Sequence, residues 1–434
     1  MKIAVVGAGW AGLAAAVRLR QQGRDVQVFE AAPQPGGRAR PVRHPALGQV
    51  IDNGPHLLLG AYRETCALMQ SLGLDPHDAC LTQPLRLQSA DRRLRLRFWA
   101  LPAPWHRLGA VLDSRGLEGW RGRWHLARVL NAAHPDRIDP HLTLQDWLAR
   151  LGCPAPLLQR LWAPLCLAAT NTPIAHTEAR LFARVLRDSL AADARASRML
   201  IPRHTLHALW PQKACDLLGP RLRRQRVQRL DPGPGSGWRV DGEAFDRVIL
   251  ATPPAAAQRL LRPLPDAAAY LARWPTWRHA AIATLHLRLT APWRSGMALG
   301  LLWDDPDKNA WGQWFFDRSH SAASADDQTL AHVVIGRADA LAHAPPDAVR
   351  AGVLAQLHTQ CAQPLPPVSA WALINEKRAT FDVTPGLARP GTATAWPGLL
   401  LAGDWTDTGY PAVLEGAVRS GLRAAALAAG PASG

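Results

Sequence analysis

The first thirty residues hold a glycine-rich turn followed, at a fixed distance, by a carboxylate. The turn is GAGWAG, formed by Gly7, Ala8, Gly9, Trp10, Ala11 and Gly12. A GxGxxG turn between a strand and a helix exposes backbone N–H groups that bind a pyrophosphate. Glu30 ends the next apolar run and can accept hydrogen bonds from both ribose hydroxyls of an adenosine. These residues predict a site for a dinucleotide without a 2′-phosphate, because the charge of Glu30 would repel that group.

The elements that position this turn follow from the spacing of apolar residues. Residues 2–6 and 25–29 are apolar runs of strand type, and 11–22 carries apolar residues at helical spacing. In the resulting βαβ unit the three glycines permit, in order, the tight turn, the approach of the pyrophosphate and close packing of the helix. A secretory signal has a similar charge and apolar run, but the βαβ spacing favours an N-terminus that is retained.

Two further blocks have the residue types of cofactor contacts. PGGRAR (35–40) follows the second strand, and Arg38 offers a guanidinium that can bind the pyrophosphate from its other side. Near the C-terminus, the apolar run 399–402 leads through GDWTDTGY into a predicted helix, 411–426. The start of that helix would direct free N–H groups at an electron-rich acceptor, such as the N1–C2=O edge of a reduced flavin.

Six blocks carry a resemblance that spans the chain. They are GAGWAGLAAAVRL, EAAPQPGGRAR, DNGPHLLLGAY, DRVILATPP, EKRATFDVTPGLARP and LLLAGDWTDTGYPAVLEGAVRSG. Together they resemble the flavoproteins of the amine oxidase and carotenoid desaturase superfamily, and within it the bacterial hydroxysqualene dehydroxylase family, also described as the squalene-associated FAD-dependent desaturases. The last block is also similar to plant-type phytoene desaturases.

The resemblance implies an α/β fold in which a Rossmann-like FAD-binding domain of the GR2, amine oxidase type carries a second, α+β substrate domain of mixed sheet and helices. The FAD-binding domain is expected from residues 1–75, 215–265 and 395–430, and the substrate domain from 76–214 and 266–394. At 434 residues the chain is long enough for two such domains.

The FAD contacts implied by the resemblance lie in all three pieces of the first domain. They are Gly7, Ala8, Gly9, Trp10, Ala11, Gly12, Glu30, Ala31, Gly36, Gly37, Arg38, Gly54, Pro55, His56, Val227, Gly403, Asp404, Pro411, Ala412 and Val413. Asp404 is expected at the pyrophosphate or ribityl chain, and Val227 is expected to give backbone contacts to the adenine. No metal site is predicted.

Helices and strands of the second domain are predicted from periodicity. The helices are 142–152, 157–170 and 177–190, and the strands are 280–289, 299–303, 311–316 and 330–335. Alternation in 280–289 predicts a half-buried strand, and 232–237 predicts a hairpin-like turn. The 18 tryptophans, against 3 tyrosines, favour large apolar walls suited to a polyisoprenoid, although core packing explains any single tryptophan.

The reaction implied by the resemblance is reduction of an allylic alcohol, hydroxysqualene, to squalene by hydride from reduced FAD. An acid near the hydroxyl is then needed, and the candidates are His56, Glu376 and Glu415, with Arg378 as an electrostatic partner. Each candidate has a structural alternative: a hydrogen-bonding histidine, a salt bridge between Glu376 and Arg378, and a carboxylate favoured at a helix start. An external reductant, NAD(P)H or a reduced carrier, would recharge the flavin.

Three rival functions use the same fold. Amine oxidation needs a lysine below the flavin and an aromatic pair, but the best-placed lysine, Lys308, lies in a predicted solvent turn, and only Tyr410 remains of the pair. Carotenoid-type desaturation or isomerisation would use the same cavity and stays open. A prenyl-lipid carrier without flavin is disfavoured by the complete C-terminal flavin block.

The charge of the chain is strongly positive, with 50 lysines and arginines against 34 acidic residues. Segment 86–128 holds ten arginines against Asp91, Asp113 and Glu118, next to several tryptophans. Arginine beside tryptophan suits contact with an anionic membrane surface, while solvated helix faces are the alternative. No nucleic-acid-binding motif accompanies the charge, so no nucleic-acid partner is expected.

The expected partners and location follow from these features. We expect a C30 isoprenoid substrate, functional coupling to prenyl-diphosphate condensing enzymes, and a cytoplasmic protein held peripherally on the inner face of the cytoplasmic membrane. The six cysteines are scattered without a CxxC pair, which indicates reduced thiols.

Overall fold

The computed structural model describes residues 1–99, 101–102, 105–191, 193–235 and 237–430. Its strands are β1 (Lys2–Val6), β2 (Asp25–Glu30), β3 (Pro41–His44), β4 (Gln49–Asp52), β5 (Leu58–Leu59), β6 (Cys80–Gln83), β7 (Arg86–Gln88), β8 (Arg95–Arg97), β9 (Met199–Pro202), β10 (Leu222–Arg224), β11 (Leu230–Pro232), β12 (Trp238–Val240), β13 (Glu243–Phe245), β14 (Arg247–Leu250), β15 (His279–Leu289), β16 (Leu299–Leu301), β17 (Trp314–Asp317), β18 (Leu330–Gly336), β19 (Val368–Phe381) and β20 (Leu399–Leu401).

The helices are α1 (Trp10–Gln21), α2 (Arg63–Ser71), α3 (Pro76–Ala79), α4 (Trp105–Leu112), α5 (Gly119–Ala132), α6 (Leu144–Arg150), α7 (Ala155–Leu157), α8 (Ala163–Thr170), α9 (Ala179–Leu186), α10 (Leu206–Leu209), α11 (Pro211–Leu218), α12 (Pro254–Leu261), α13 (Ala267–Leu271), α14 (Pro346–Gln360) and α15 (Leu414–Ala429). The π-helical segment Leu158–Trp162 joins α7 to α8, and a second one, Arg187–Ala191, extends α9.

A parallel sheet of five strands, in the order β10-β2-β1-β14-β20, forms the centre of the first half of the fold. Its strands come from three separate stretches of the chain, 2–30, 222–250 and 399–401. The strands β1, β2, β14 and β20 are largely buried, with α1 and α15 packed together over the sheet, whereas the edge strand β10 is mostly exposed. Gly421 makes this packing close, since a Cβ there would lie 2.1 Å from the Ala11 carbonyl oxygen. The predicted α/β class is confirmed, while the exact domain bounds stay a prediction.

The C-terminal helix begins later than predicted. Pro411 and Ala412 form a bend, closed by a hydrogen bond from Val413 N–H to the Pro411 carbonyl at 2.8 Å, and α15 runs from Leu414 to Ala429 instead of from 411 to 426. The Val413 backbone is extended, and its carbonyl accepts the first intrahelical hydrogen bond, from Ala417 N–H. Apolar residues continue beyond 426, so the sequence gave no sharp C-terminal boundary.

A second, antiparallel sheet has the order β16-β17-β18-β15-β19. The prediction that 280–289 is half-buried was wrong, because both faces of β15 are covered, one by α14 and the other by the β3–β4 hairpin. Its alanines and leucines pack against α14, while Thr284 and His286, on the opposite face, are 2% and 1% exposed. The β3–β4 hairpin lies on that second face, where Arg288 donates to the Leu47 carbonyl at 2.7 Å.

Helices α4 to α9 form the remaining part of the second half. The predicted helices 142–152, 157–170 and 177–190 correspond to α6, to α7 with α8, and to α9 with its π-helical end. The predicted turn 232–237 joins β11 to β12, with Ser236 outside the described residues. No helix in the described part of the chain is long and apolar enough to cross a bilayer.

Candidate flavin and substrate site

The glycine turn after β1 forms a cradle of bare backbone. Gly7 has φ of +106°, and a Cβ on it would lie 2.6 Å from the Ala251 carbonyl oxygen. A Cβ on Gly12 would lie 1.9 Å from the Gly7 carbonyl oxygen, so only glycine fits where α1 leaves the sheet. Gly9 differs, because a Cβ there would meet nothing closer than the Gly37 Cα, at 3.8 Å. The space in front of Gly9 is therefore free for a ligand.

A second glycine loop faces the first. Gly36 N–H donates to the Ala8 carbonyl at 2.8 Å, and Gly37 has φ of +64°. Helix α1 starts next to both loops without a side-chain cap, so its first N–H groups face this space. The two loops and the helix start together fit the pyrophosphate of a dinucleotide.

Glu30 lies at the carboxyl end of β2, beside the glycine turn. Its carboxylate accepts hydrogen bonds from Ala8 N–H at 2.6 Å and from Ala32 N–H at 2.7 Å. Ala31 is the residue between Glu30 and Ala32 in the turn that the second bond closes. These bonds fix the carboxylate at the edge of the cradle, where the ribose of a bound adenosine would lie. The predicted ribose contact fits this position.

Arg38 and Asp404, predicted as separate cofactor contacts, form an ion pair. One guanidinium nitrogen of Arg38 lies 2.6 Å from each Asp404 carboxylate oxygen, and the other donates to the Ala379 carbonyl at 2.6 Å. The Asp404 charge raises the pKa of Arg38 above its ordinary value. The pair joins the N-terminal and C-terminal cofactor blocks, which lie 366 positions apart.

The C-terminal block reaches the same region through tight turns. Gly403 N–H donates to Ser420 Oγ at 2.8 Å, which holds the turn against α15. Pro411, Ala412 and Val413 then lead through a bend to α15, whose start has no side-chain cap. This arrangement gives the free N–H groups that a flavin edge requires.

Val227 lies in the apolar cluster beside Phe29, at the end of the sheet where adenine is expected. It is buried, and its carbonyl accepts a hydrogen bond from Arg259 at 3.0 Å. Its backbone carbonyl is therefore engaged within the protein, and the adenine contact stays a prediction.

The loop after β4 brings two of the predicted catalytic residues to one place. Asn53 donates to the Glu376 carboxylate at 3.3 Å, and His56 Nδ1 lies 2.8 Å from the Gly54 carbonyl, next to Pro55. Because a carbonyl only accepts, Nδ1 of His56 carries the proton, and Nε2 of the neutral ring is an acceptor. Burial lowers the pKa of His56. In this state His56 is better placed to accept a proton than to donate one.

The salt bridge between Glu376 and Arg378, the structural alternative to a catalytic role for Glu376, is not found among the described residues. Among the described residues, Glu376 accepts from Asn53, and no ion pair joins it to Arg378. Both residues lie on β19, where Glu376 pairs in register with Ile282 of β15. Glu376 therefore connects the flavin-contact loop to the second sheet.

Glu415 lies away from this loop and has a complete set of partners. It is 1% exposed, and its two oxygens accept four hydrogen bonds, from Glu64 N–H, Thr65 N–H, Thr65 Oγ1 and Arg419 Nε, at 2.7 to 3.1 Å. Two of these donors are N–H groups in the first turn of α2. Glu415 thus acts as a cap that ties α2 to α15, and a proton on it would displace one of its donors.

A cleft beside His56 holds side chains that the sequence did not indicate. Asp52, His286, Arg318 and His332 line it together with His56. Asp52 accepts a hydrogen bond from Leu206 N–H at 2.9 Å, and burial raises its pKa to about 7. The signal available in the sequence was that Asp52 is the first residue of the DNGPHLLLGAY block, directly before Asn53.

The two cleft histidines form a buried pair. Nδ1 of His286 lies 2.9 Å from Nδ1 of His332, across the register of β15 and β18. Burial lowers the pKa of His286 to about 3 and that of His332 well below its usual value, so both rings are neutral. Since one Nδ1 must donate and the other accept, the two rings hold opposite tautomers.

The residues expected of an amine oxidase are not in this site. Lys308 lies on an exposed turn, where it bonds Asp305 at 2.7 Å. The Tyr410 hydroxyl donates to the Asp188 carboxylate. Lys308 is therefore held in a surface turn, and the hydroxyl of Tyr410 is bound to Asp188.

Comparison with known proteins agrees with this geometry. The model of the family "Flavin containing amine oxidoreductase" matches residues 10–429. Hydroxysqualene dehydroxylase of Rhodopseudomonas palustris is 33% identical, over 98% of this chain and 97% of its own length. The chain belongs to the hydroxysqualene dehydroxylase family. Hydroxysqualene dehydroxylase of Sinorhizobium fredii is 31% identical, over 98% of this chain and 97% of its own length. Members of this family are FAD-dependent oxidoreductases, FAD is the cofactor of this chain, and the glycine cradle has the geometry to bind its pyrophosphate.

Solved structures show the same fold. Cyclohexylamine oxidase from Brevibacterium oxydans superposes with a TM-score of 0.70 at 18% identity, covering 99% of this chain and 98% of the other. A reduced UDP-galactopyranose mutase superposes with a TM-score of 0.68 at 13% identity, covering 100% of this chain and 96% of the other. At these identities the likeness defines the fold alone.

Proposed function

We propose that the chain reduces hydroxysqualene to squalene in the biosynthesis of squalene and hopanoids. The observation that carries this proposal is the likeness, over 98% of the chain, to three proteins named hydroxysqualene dehydroxylase. In such a reaction an allylic C–O bond breaks, the oxygen leaves with one proton as water, and the carbon gains a hydride. FAD, when bound and reduced, supplies the hydride. The protein must deliver the proton and exclude water.

Asp52 is our candidate for the proton donor. It lines the same cleft as His56, which belongs to the loop that contacts the flavin in the resemblance. With its pKa raised to about 7, an appreciable fraction of Asp52 is protonated at neutral pH, as a general acid requires. Among the predicted candidates, His56 is an acceptor and Glu415 is a cap, so Asp52 fits the proton-donating role better than either.

The histidine pair suits the charge that develops on the substrate. Departure of the hydroxyl leaves a delocalised allylic cation, which a positive side chain would oppose. His286 and His332 stay neutral because burial penalises a charge on either ring, and their Nδ1 atoms share one hydrogen bond. Arg318 is a positive residue in this cleft; two of its nitrogens donate to the carbonyls of Pro202 and Arg203, at 2.5 and 2.8 Å, and its charge also acts on Asp52.

We also propose the setting in which the enzyme works. A C30 substrate is soluble in lipid, so we place the chain on the inner face of the cytoplasmic membrane as a peripheral protein. Prenyl-diphosphate condensing enzymes would supply its substrate, and NAD(P)H or a reduced carrier would return electrons to the flavin.

One anaerobic experiment tests the reaction. Holoprotein reduced with dithionite is mixed with hydroxysqualene, and products are analysed by mass spectrometry. We expect squalene in a one-to-one ratio with oxidised flavin. Reduced flavin that persists with unchanged hydroxysqualene would overturn the proposal.

Desaturation is the second candidate function. A probable zeta-carotene desaturase of Synechococcus elongatus is 24% identical over 98% of this chain and of its own length. In a desaturase the hydrocarbon is oxidised and the flavin is reduced. Squalene or a carotene precursor would therefore bleach the absorbance of the oxidised flavin. Bleaching by these hydrocarbons, without squalene formation from the alcohol, would favour this second function.

A further inference from the structure

Most of the exposed large apolar side chains of this protein are concentrated in one place. Ten such side chains are exposed in the described part of the chain, and six of them lie between 101 and 124. They are Leu101, Trp105, Leu108, Leu112, Trp120 and Trp124, exposed by 46%, 58%, 37%, 54%, 73% and 67%. We call these six residues the α4–α5 patch. Exposing two tryptophan side chains of one helix to water is unfavourable in free energy, and such an exposed apolar patch indicates a surface that binds a partner.

The spacing of these residues places them on one face of each helix. Trp105, Leu108 and Leu112 recur three and four residues apart along α4, and Trp120 and Trp124 are four apart on α5. The opposite faces are already buried, with Ala110 on α4 and Val129 on α5 in the apolar core. Core formation therefore does not account for the outer faces.

The two helices form one unit. Arg123 of α5 donates to the carbonyls of Leu112 and Ser114 at 3.0 and 2.8 Å, at the end of α4. These bonds fix the exposed face of α4 relative to that of α5. Ala100, Ala103 and Pro104 of the predicted membrane-contact segment lie outside the described residues.

The charge around the α4–α5 patch is positive and is not neutralised locally. Segment 86–128 has ten arginines and three acidic residues. Each acidic residue already has an arginine partner: Arg93 for Asp91, Arg95 for Asp113 and Arg160 for Glu118, at 3.6, 2.6 and 3.0 Å. The remaining arginines give the surface a field that is complementary to anionic headgroups.

The inner side of the α4–α5 unit continues toward the cleft. Val129 of α5 and Trp162 belong to the same apolar cluster as Trp314 and Phe316 of the second sheet. Phe316 also lines the cleft that holds Asp52. The patch helices therefore pack on the same apolar core that supplies Phe316 to the wall of the candidate substrate site.

We propose that the α4–α5 patch docks on an anionic lipid bilayer, with its tryptophans and leucines in the interface and its arginines at the headgroups. The second part of the inference rests on the proposed function: the C30 substrate reaches the cleft from this side. Tryptophan with arginine on an amphipathic helix is the composition that binds at the lipid interface.

Flotation with vesicles tests the docking. Holoprotein is mixed with vesicles of equal parts phosphatidylcholine and phosphatidylglycerol, and the patch variant Trp120→Ser/Trp124→Ser is compared with the control Leu217→Ser/Leu427→Ser. The control removes two leucines of 44% and 47% exposure elsewhere on the surface. We expect at least tenfold weaker binding for the patch variant and unchanged binding for the control. Equal binding by both variants would overturn the docking surface.

Salt and lipid charge test the headgroup contact. Binding of the wild type should fall as salt is added and should be much weaker with phosphatidylcholine alone. Binding that depends neither on the salt concentration nor on the charge of the lipid would overturn the choice of an anionic surface. No flotation at all, with a change of oligomeric state in the patch variant, would mean that a protein covers the patch.

Activity separates the docking from the proposed reaction. With hydroxysqualene in detergent micelles, the patch variant should form squalene at the wild-type rate, and with hydroxysqualene in vesicles it should be slower by tenfold or more. Equal rates in both assays would overturn entry from this side. If the wild type floats but forms no squalene in either assay, the proposed function fails while the docking surface stands.

Discussion

The cofactor cradle and the substrate cleft are built in different ways. The cradle is made of backbone: the glycines of its first turn lie within six residues, and two of them, Gly7 and Gly12, are required by local contacts such as the 1.9 Å approach at Gly12. The cleft is made of side chains from separate elements, with Asp52 on β4, His286 on β15 and His332 on β18. A sequence motif is therefore enough to predict the cradle, whereas the residues of the cleft come together only when the second sheet has folded.

The largest effect should come from filling the cradle. Gly12→Val places side-chain atoms against the Gly7 carbonyl oxygen, where even a Cβ would lie at 1.9 Å, so α1 must move off the sheet. We expect loss of FAD and of a cooperative thermal transition, measured by flavin absorbance and calorimetry. Gly391→Ala is the matched control, because nothing lies within 4 Å of its Cβ. A yellow, stable Gly12→Val protein would show that the cradle tolerates a side chain.

The next largest effect should come from the cleft. Asp52→Asn keeps the acceptor for Leu206 N–H but removes the proton donor, so single-turnover oxidation of the reduced flavin by hydroxysqualene should slow by roughly 10²- to 10⁴-fold. The wild-type rate should be highest at low pH and fall as pH rises through about 7, because the raised pKa makes the protonated form the active one. The variant should lose this pH step.

Stability gives a second readout for Asp52. Since its pKa is higher in the folded protein than in the unfolded chain, folding binds a proton, and the free energy of unfolding should decline as pH rises from about 4 to about 7. Asp52→Asn should remove this decline without lowering the melting temperature. A variant that keeps both the pH step in rate and the decline in stability would exclude Asp52 as the acid.

A smaller effect is expected at the adenosine end of the cradle. Glu30→Ala removes a carboxylate that accepts from Ala8 and Ala32 N–H and that is placed for the ribose. Charge-assisted hydrogen bonds contribute about 1.5–3 kcal/mol each, so FAD should bind roughly tenfold to a few hundredfold more weakly. Titration of apoprotein with FAD measures this, and Glu30→Gln should retain part of the affinity. Unchanged affinity in Glu30→Ala would place the ribose elsewhere.

Sequence reasoning succeeded where the chemistry is local. The βαβ unit, the order of its glycines and the C-terminal buried strand could all be predicted, because each depends on residues close together in the chain. The burial of β15 could not, since alternation along one strand does not tell whether distant parts of the chain cover its second face, as the β3–β4 hairpin does here while α14 covers the first. The His286 and His332 pair was missed for the same reason: the two residues lie 46 positions apart and meet only through strand register.

Glu415 shows how a residue type alone misleads about a site. Its place near the start of a helix fitted either a catalytic acid or a favourable carboxylate, and the fold gives it four donors from α2 and α15. Glu415→Gln turns one acceptor oxygen into a donor that faces other donors, so the melting temperature should fall by several degrees, corresponding to about 2–3 kcal/mol. The rate constant for flavin oxidation, measured below the melting transition, should stay within about threefold of wild type, because catalytic acids contribute at least about 10²-fold. A variant with normal stability and a rate lowered by that larger factor would show that Glu415 takes part in the reaction. Glu415 would then no longer be a purely structural residue, and the chemistry would not be confined to the side chains of the cleft.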